Sequence, residues 1–573
     1  MDNIKTENRT ISELFSTPKS RFLVPDYQRP YSWMLENCEG LWIDLEEFAL
    51  KTPNFDPEMN DYFLGTMVTF YNKNRQDEII DGQQRITTLL LLLRAYYDSF
   101  GEQNDPPIKQ NIGKCIWLTD ERGNIDKTTL KLTSDVLQEG ANEELAAIML
   151  TGETNKKSQS NYAVNYRFFK SKIETLNMAT REIFAARILN NCFVIKIRAD
   201  TQEFALQIFS TTNDKGCPLS DTDLFKAALY KNALINGGTV AKDEFLERWA
   251  LLEKRSNSLF TFKSSKVNAF EFAFVAYSYK SDNMNSRKGL RNYFAPNNYA
   301  LLKNSRTLDE IFAMLDFLQD LKVQNHLRFS DDVLRRAYVF LRTGATFCYH
   351  ILTAYFLAHH DDDYMVDNKH FAYYLDIVTA FVLGAVLQGN TRSVNFTSYG
   401  FAPIKSLIKN PTKILAAHKA PKMIIENNFR NYSSIYGKKI ATPFILNWWT
   451  FKDNNQELID LDIQLNIEHI FAKKRADFET VTDRRKIEFL GNFSLLEKSI
   501  NSRASDFRFA DKKKIYLGFT DTKGVFKKGT VNRELQQLAT NKNDFTESDI
   551  MERNEQILSE ILSMLEKHNL LSF

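Results

Sequence analysis

Residues 78–94 read EIIDGQQRITTLLLLLR, and this stretch decides how the first part of the chain folds. Glu78–Ile80 is a short apolar strand, Asp81-Gly82 is turn chemistry, and Ile86–Tyr97 has the apolar density and good formers of a helix starting within Gln83–Arg85. A strand, a tight turn and a helix start leave unpaired backbone N–H groups and the positive end of a helix dipole at the turn, which is a ready anion site. Gly82 lets an anion approach the backbone, Arg85 carries a planar fork suited to phosphate oxygens, and Asp81 is placed to position a metal or a water. The same residues fit a second reading, in which Asp81 caps the helix and Arg85 makes a structural ion pair.

Outward from this stretch, Phe63–Phe70 (FLGTMVTF) and Cys192–Ile197 (CFVIKI) read as further strands, so residues 1–235 form a mixed segment. Residues 236–440 are mostly helical, and Val333–Leu357 and Phe371–Leu387 are apolar on nearly all sides, as helices inside a bundle are. Residues 441–573 alternate again: strands at Leu461–Ile467 and Phe493–Leu496, a helix over Ser505–Leu517, and a closing amphipathic helix with Ile550, Ile557, Ile561 and Leu565 on one stripe. Only 21 Gly and 13 Pro among 573 residues favour helices over elaborate turns, and no repeat or low-complexity segment interrupts the pattern. The expected class is α+β, helix-rich, with three domains.

Composition is that of a globular chain, 43% hydrophobic and 25% charged, which excludes a disordered or fibrous protein. The balance of 74 Lys+Arg against 72 Asp+Glu carries no bulk signal for nucleic acid. Five cysteines (Cys38, Cys115, Cys192, Cys217 and Cys348) are widely spaced with no C-x-x-C pair, so neither a disulfide framework nor a thiolate zinc site is expected, and the compartment reads as cytoplasmic. No signal peptide is evident, and Ile86–Leu93 and Ile377–Leu387 fall short of the ~20 apolar residues that span a bilayer, so no membrane is expected.

Two further blocks accompany the Asp-Gly turn. Upstream, VPDYQRPYSWMLENCEGLWIDL holds Gln28-Arg29 between two prolines, with Tyr31 and Trp33 as flat surfaces for stacking a base or for packing a core. Downstream, QEFALQIFSTTNDKGCPLSDTDLFK contains Asn213, Gly216, Leu219, Asp221 and Asp223, with Ser220 or Asp221 as a helix cap. In this order, Y-Q-R-x-Y-x-W, then D-G-Q-Q-R-x-T-T-L, then F-x-x-x-N-x-x-G-x-x-L-x-x-x-D-L, the three blocks resemble the N-terminal half of GmrSD-type proteins, the type IV modification-dependent restriction enzymes, over roughly residues 12–230. The resemblance implies a ParB/sulfiredoxin-like nucleotide-binding fold with NTP binding and hydrolysis. Carried over by motif, it gives Gln28, Arg29, Asp81, Gly82, Gln83, Gln84 and Arg85 as nucleotide-site residues. One departure is Ser-Thr-Thr-Asn at 210–213, where the family more often has Glu/Ser-x-x-Asn; it leaves Asn213 in place.

A second constellation lies in the last domain. His469 ends the run LNIEHIF, Asn492 follows in LGNFSLL, and Asn501 comes at the start of a basic helix. A neutral histidine, with an unperturbed pKa near ~6.5, accepts a proton from water, and carboxylate and amide oxygens suit Mg²⁺. Spacing alone fits equally a strand-end histidine beside polar turns. The order E-H-I, L-G-N-x-x-L-L, S-I-N, then K-K-K resembles the HNH (ββα-metal) nuclease domain that ends GmrSD-type chains, except that Ala472 stands where the family usually has Pro. The resemblance implies His469 as general base, Glu468 as a ligand of Mg²⁺ or another divalent cation or else an orienting carboxylate, Asn501 as a ligand of the metal from the helix, and Asn492 as the brace of the metal loop. It also implies double-stranded DNA as partner, modified phage DNA as the target class, and NTP as effector; a homo-oligomer is compatible with it.

Charge is distributed to match. Between His469 and Arg533 there are 16 Lys and Arg against eight Asp and Glu, and Lys473, Lys474, Arg475, Lys512, Lys513 and Lys514 are the expected contacts to backbone phosphates. His359-His360-Asp361-Asp362-Asp363 has the composition of a metal site but lies in a polar connector, where a surface loop is expected. Against the nuclease stands a rival from another class, a non-cleaving NTP-binding sensor whose HNH remnant only binds DNA or a partner.

Overall fold

The alternating strands and helices of the N-terminal segment close into a six-stranded mixed sheet built from β1 (Ile4–Thr10), β2 (Phe22–Val24), β3 (Tyr62–Tyr71), β4 (Asp77–Asp81), β5 (Leu132–Ser134) and β6 (Cys192–Ala199), in the order β1-β6-β3-β4-β2-β5. The computed structural model describes residues 4–51, 61–101, 106–136, 140–155, 157–201, 204–205, 208, 221–260, 269–278, 290–294, 296–388, 419–431, 441–478 and 481–572. They form two compact units, Met1–Ala250 and Leu251–Phe573, where the sequence divides three segments at 235 and 440.

In the first unit, β3 and β4 are an antiparallel hairpin, and β6 pairs parallel to β3 and antiparallel to β1. Helix α1 (Gln83–Ser99) follows β4 directly. Its Leu89–Leu93 run is buried on every side, so the segment that reads as uniformly apolar is the central post of the core. Each such leucine contributes roughly 1.5–3 kcal/mol of burial. Helix α2 (Asn161–Glu174) lies against α1 through Tyr162 and Tyr166.

In the second unit, the apolar stretch Val333–Leu357 is two helices, α3 (Asp331–Thr343) and Thr346–His359, because Gly344 turns left-handed at φ +64° and ends the first. Helix α4 (Asn368–Leu387) is long and apolar enough to cross a membrane by length and composition, which the sequence reading did not expect. It is 83% buried within the unit, where α5 (Ala441–Phe451) and the closing helix pack on it.

The last part of the chain forms an antiparallel pair, β7 (Leu465–His469) and β8 (Phe493–Glu497), in register from Leu465 opposite Glu497 to His469 opposite Phe493, followed at once by α6 (Lys498–Ala504). β7 starts later than Leu461, because Asp460 folds the preceding residues into a turn by accepting from the N–H groups of Asp462 (2.9 Å) and Ile463 (3.0 Å). The next helix, α7, spans Phe509–Leu517 and does not reach back to Ser505, whose φ of +41° terminates α6. Helices α8 (Arg533–Asn541) and α9 (Glu547–Lys567) complete the unit. α9 opens with a Thr546/Asp549 capping box and buries the expected stripe of Ile550, Ile557, Ile561 and Leu565.

One face of α3 fixes the connector that leads into β7. Arg335 donates to the carbonyls of Asp453 (3.0 Å), Asn454 (3.1 Å) and Gln456 (2.6 Å), Tyr338 to that of Ile459 (2.5 Å), and Arg342 to those of Asp460 (3.1 Å) and Leu461 (2.9 Å). The helical segment, which carries no motif, therefore sets where the histidine strand begins.

Candidate functional site

Two groups of sequence-predicted residues fall in separate units, and each is described by itself. At the end of β4, Gly82 adopts φ +92°, and a Cβ there would lie 3.2 Å from the Thr66 carbonyl, so the turn needs glycine. Asp81 Oδ1 accepts the Gly82 N–H at 2.8 Å. Asp81 thus braces the turn, and the cap of α1 is Gly82 itself, without a side-chain acceptor. Burial raises the Asp81 carboxyl above the usual range, against the opposing pull of the Gly82 N–H, Arg85 and Arg29.

The three glutamines tie the 25–34 loop to this turn. Gln28 Nε2 donates to the Ile80 carbonyl (3.0 Å), Gln83 Nε2 to that of Arg29 (3.3 Å) and Gln84 Nε2 to that of Pro30 (3.2 Å), while Gln84 Oε1 accepts from the N–H groups of Ser32 (2.7 Å) and Trp33 (3.3 Å). Arg85 donates to the Thr66 carbonyl at 3.2 Å and covers Gly65, with burial lowering its pKa. Arg29 Nε is buried with no hydrogen-bond partner among the described residues. Arg29, Arg85 and the first turn of α1 are therefore the groups left to meet an anion, and the glutamines are scaffold. Tyr31 does not offer a stacking surface: it is buried, stacked on Tyr162 at 4.8 Å and bonded to Thr88 (2.6 Å) and Asn165 (3.0 Å). Asn213, Gly216, Cys217, Leu219 and Ser220 lie outside the described residues.

The second group sits at the end of β7. Successive side chains on a strand point to opposite faces, so Glu468 and His469 diverge. Glu468 is 3% exposed, and its carboxylate accepts from Lys512 Nζ (2.6 Å), the Tyr516 hydroxyl (2.7 Å) and Asn501 Nδ2 (3.2 Å). Lys512 also donates to the His469 carbonyl at 2.6 Å. Glu468 and Asn501 meet, as a shared ligand role requires, but the Lys512 ammonium already supplies the positive charge, so the pair as folded does not fit a divalent cation. Among the described residues no group of three or more His, Cys, Asp or Glu is placed to hold a metal ion; His359–Asp363 forms a helix end and turn.

His469 faces the other way. Its Nε2 lies 3.4 Å from Glu488 Oε2, Lys473 Nζ lies 2.6 Å from Glu488 Oε1, and the Phe493 ring packs edge-on at 4.8 Å. Burial lowers the imidazole pKa, aided by Lys473 and Lys512 and opposed by Glu488, so at neutral pH the ring is uncharged and able to take a proton. A carboxylate on Nε2 favours the tautomer with that nitrogen protonated and leaves Nδ1 as the acceptor. Glu488, inside the charged run RRKIEF, carries no sequence signal for this role.

The turn before β8 is held from below. Asn492 is fully buried and bonds Phe471 through both its oxygen (to N–H, 2.7 Å) and its nitrogen (to C=O, 3.0 Å), and also the Ile487 carbonyl (2.8 Å). From α9, Arg553 donates to the carbonyls of Leu490 (3.1 Å), Gly491 (2.9 Å) and Phe493 (2.8 Å) while pairing with Glu534 at 2.7 Å. Gly491 is packed so closely on α9 that a Cβ would meet the Ile550 carbonyl and stand 2.7 Å from Asn554 N. The motif L-G-N is thus a contact requirement: the glycine admits a helix, and the asparagine holds the loop after His469.

The basic runs are more compensated than their sequence implies. Lys474 pairs with Asp506 (2.9 Å), Arg475 with Asp544 (2.5 Å) and Lys486 with Glu547 (2.6 Å), and Arg484 pairs with Asp477. Lys512 cannot contact a DNA phosphate, because its side chain is 1% exposed and committed to Glu468. Lys513 and Lys514 form no ion pair among the described residues, and Lys514 is exposed.

Residues 11–230 match the family described as GmrSD restriction endonuclease, N-terminal domain, and residues 420–560 match GmrSD restriction endonucleases, C-terminal domain. Together the two matches span more than half of the 573 residues, in the order in which the motifs occur. No curated protein matches the chain.

Proposed function

The chain belongs to the GmrSD restriction-endonuclease family, and on that premise we propose that it is a nucleotide-responsive DNA endonuclease of the HNH type, directed at modified phage DNA. Restriction of DNA in defence follows from the family. The observation that carries the finer reading is the neutral His469 imidazole beside Glu488, on a strand end held rigid by Asn492 and Arg553.

In this reading Nδ1 of His469 takes the proton from the water that attacks the phosphorus, and Glu488 keeps the ring in the tautomer that can do so. Lys473, half-exposed beside Glu488, lies where it can meet negative charge on the scissile phosphate. Lys512 and Tyr516 both bond Glu468 Oε1 and Asn501 bonds its Oε2, so the proton transfer is assigned to His469 and Glu488 alone.

In the first unit, the Asp81–Arg85 turn is the proposed NTP site, with Arg29 and Arg85 on the phosphates and the glutamines holding the loop in place. Arg29→Ala and Arg85→Ala are each expected to lower NTP turnover about tenfold or more, the loss that accompanies one charge-assisted hydrogen bond. Arg29→Ala is the cleaner of the two, since Arg85 also supports Thr66. Unchanged turnover in both variants removes the site from this turn. The overall reading is tested by incubating the chain with plain, methylated, glucosylated and phosphorothioated DNA, each with and without NTP. Nucleotide binding with no cleavage of any of these substrates would favour the non-cleaving sensor.

A further inference from the structure

β4 ends at the Asp81–Arg85 turn. At its other end, roughly 13 Å back along the strand at ~3.3 Å per residue, a cavity of about 300 Å³ opens beside the β3–β4 hairpin. Its floor is a buried pair, Lys196 to Asp77 at 2.7 Å, and Arg21, Arg75, Arg198 and Tyr71 stand around it. The neighbouring carboxylates are already engaged: Asp77 by Lys196, Glu7 by Arg9 (3.1 Å), and Glu13 by the Thr10 N–H (3.0 Å). Arg21, Arg75 and Arg198 form no ion pair among the described residues.

Arg21 and Arg75 have no carboxylate partner among the described residues, and Arg198 shares the field of the Glu7 carboxylate with Arg9, so positive charge is left over around the concavity and a bound anion relieves it. The guanidinium forks match phosphate oxygens in pairs. The Tyr71 ring is half-exposed, with the Arg198 guanidinium 6.0 Å from its centroid, and presents a flat face for a base or sugar.

We propose that this cavity is a phosphate-binding site separate from the Asp81–Arg85 turn, taking one nucleoside phosphate with its phosphate among Arg21, Arg75 and Arg198 and its base or sugar on Tyr71. A volume of about 300 Å³ lies at the small end of ligand sites and suits a single nucleotide unit. That unit is either a free nucleotide or one step of a DNA strand, which share this chemistry.

The test uses the full chain and the double variant Arg75→Ala/Arg198→Ala. Inorganic pyrophosphate is titrated calorimetrically, a short fluorescent DNA duplex is titrated by anisotropy over a range of salt, and Arg85→Ala is measured in parallel so that loss at each site is read separately. Both substituted arginines are at or near the surface, and the melting temperature is expected to stay unchanged. Binding of at least one probe should weaken about tenfold or more, with Arg198→Lys retaining part of it. Loss confined to pyrophosphate identifies a free nucleotide. Loss on the duplex, with a log–log salt slope shallower by about two for two lost contacts, identifies a DNA strand. Equal affinity of parent and double variant for both probes overturns the proposal.

Discussion

His469→Ala is expected to reduce DNA cleavage by about 10²–10⁴-fold while leaving the fold intact. The size follows from removing a positioned base, and the specificity follows from where the ring sits. Its side chain is 21% exposed, and it contributes an edge contact to Phe493 and a pairing to Glu488, neither of which anchors the core. The strand itself stays held by the β7–β8 register and by Lys512 on the His469 carbonyl, a backbone bond that survives any side-chain change. Circular dichroism and melting should therefore match the parent while supercoiled DNA remains uncut.

Gly491→Ala is expected to act through stability, at about 3 kcal/mol or more. The atoms that an added methyl would meet, the Ile550 carbonyl and Asn554 N at 2.7 Å, belong to the backbone of α9. That helix cannot move aside cheaply, because Ile550, Ile557, Ile561 and Leu565 are buried and Arg553 is bonded to the same turn. A urea titration should show a lower midpoint, with cleavage lost in parallel as the loop behind His469 loosens. Gly40→Ala serves as the contrast: nothing lies within 4 Å of a Cβ there, the residue is helical, and a gain of roughly 0.5–1 kcal/mol is expected.

The parts of this architecture that a one-dimensional pattern can carry were legible. E-I-I-D-G-Q-Q-R placed β4, the turn and α1 because strand, turn and helix chemistry follow each other without interruption, and the stripe of α9 followed from the helical period. The Glu468-His469 strand end and L-G-N were likewise visible. Partners brought in by tertiary contact were not. Glu488 is one acid in a charged run, and only the loop between β7 and β8 brings it to His469. Lys512 reads as part of a basic cluster, yet it shares the buried face of α7 with Phe509, Ile515 and Tyr516, a spacing that distinguishes it from Lys513 and Lys514 once the helix is phased. Local charge counting also missed Asp544 and Glu547, which lie beyond the basic window in sequence and beside it in space.

The central claim, that His469 is the base and Glu488 its orienting partner, is tested most directly by the pH dependence of single-turnover DNA cleavage in the parent and in Glu488→Gln. Burial holds the parent imidazole below its ordinary value of 6.5, so the rate should stay level as pH falls to that value and drop only below it, where the base becomes protonated. Glu488 is the group that raises this pKa, so replacing it with glutamine should move the acid limb to still lower pH and reduce the plateau rate. An acid limb at the same pH in both proteins, or a full plateau rate in Glu488→Gln, would contradict the account.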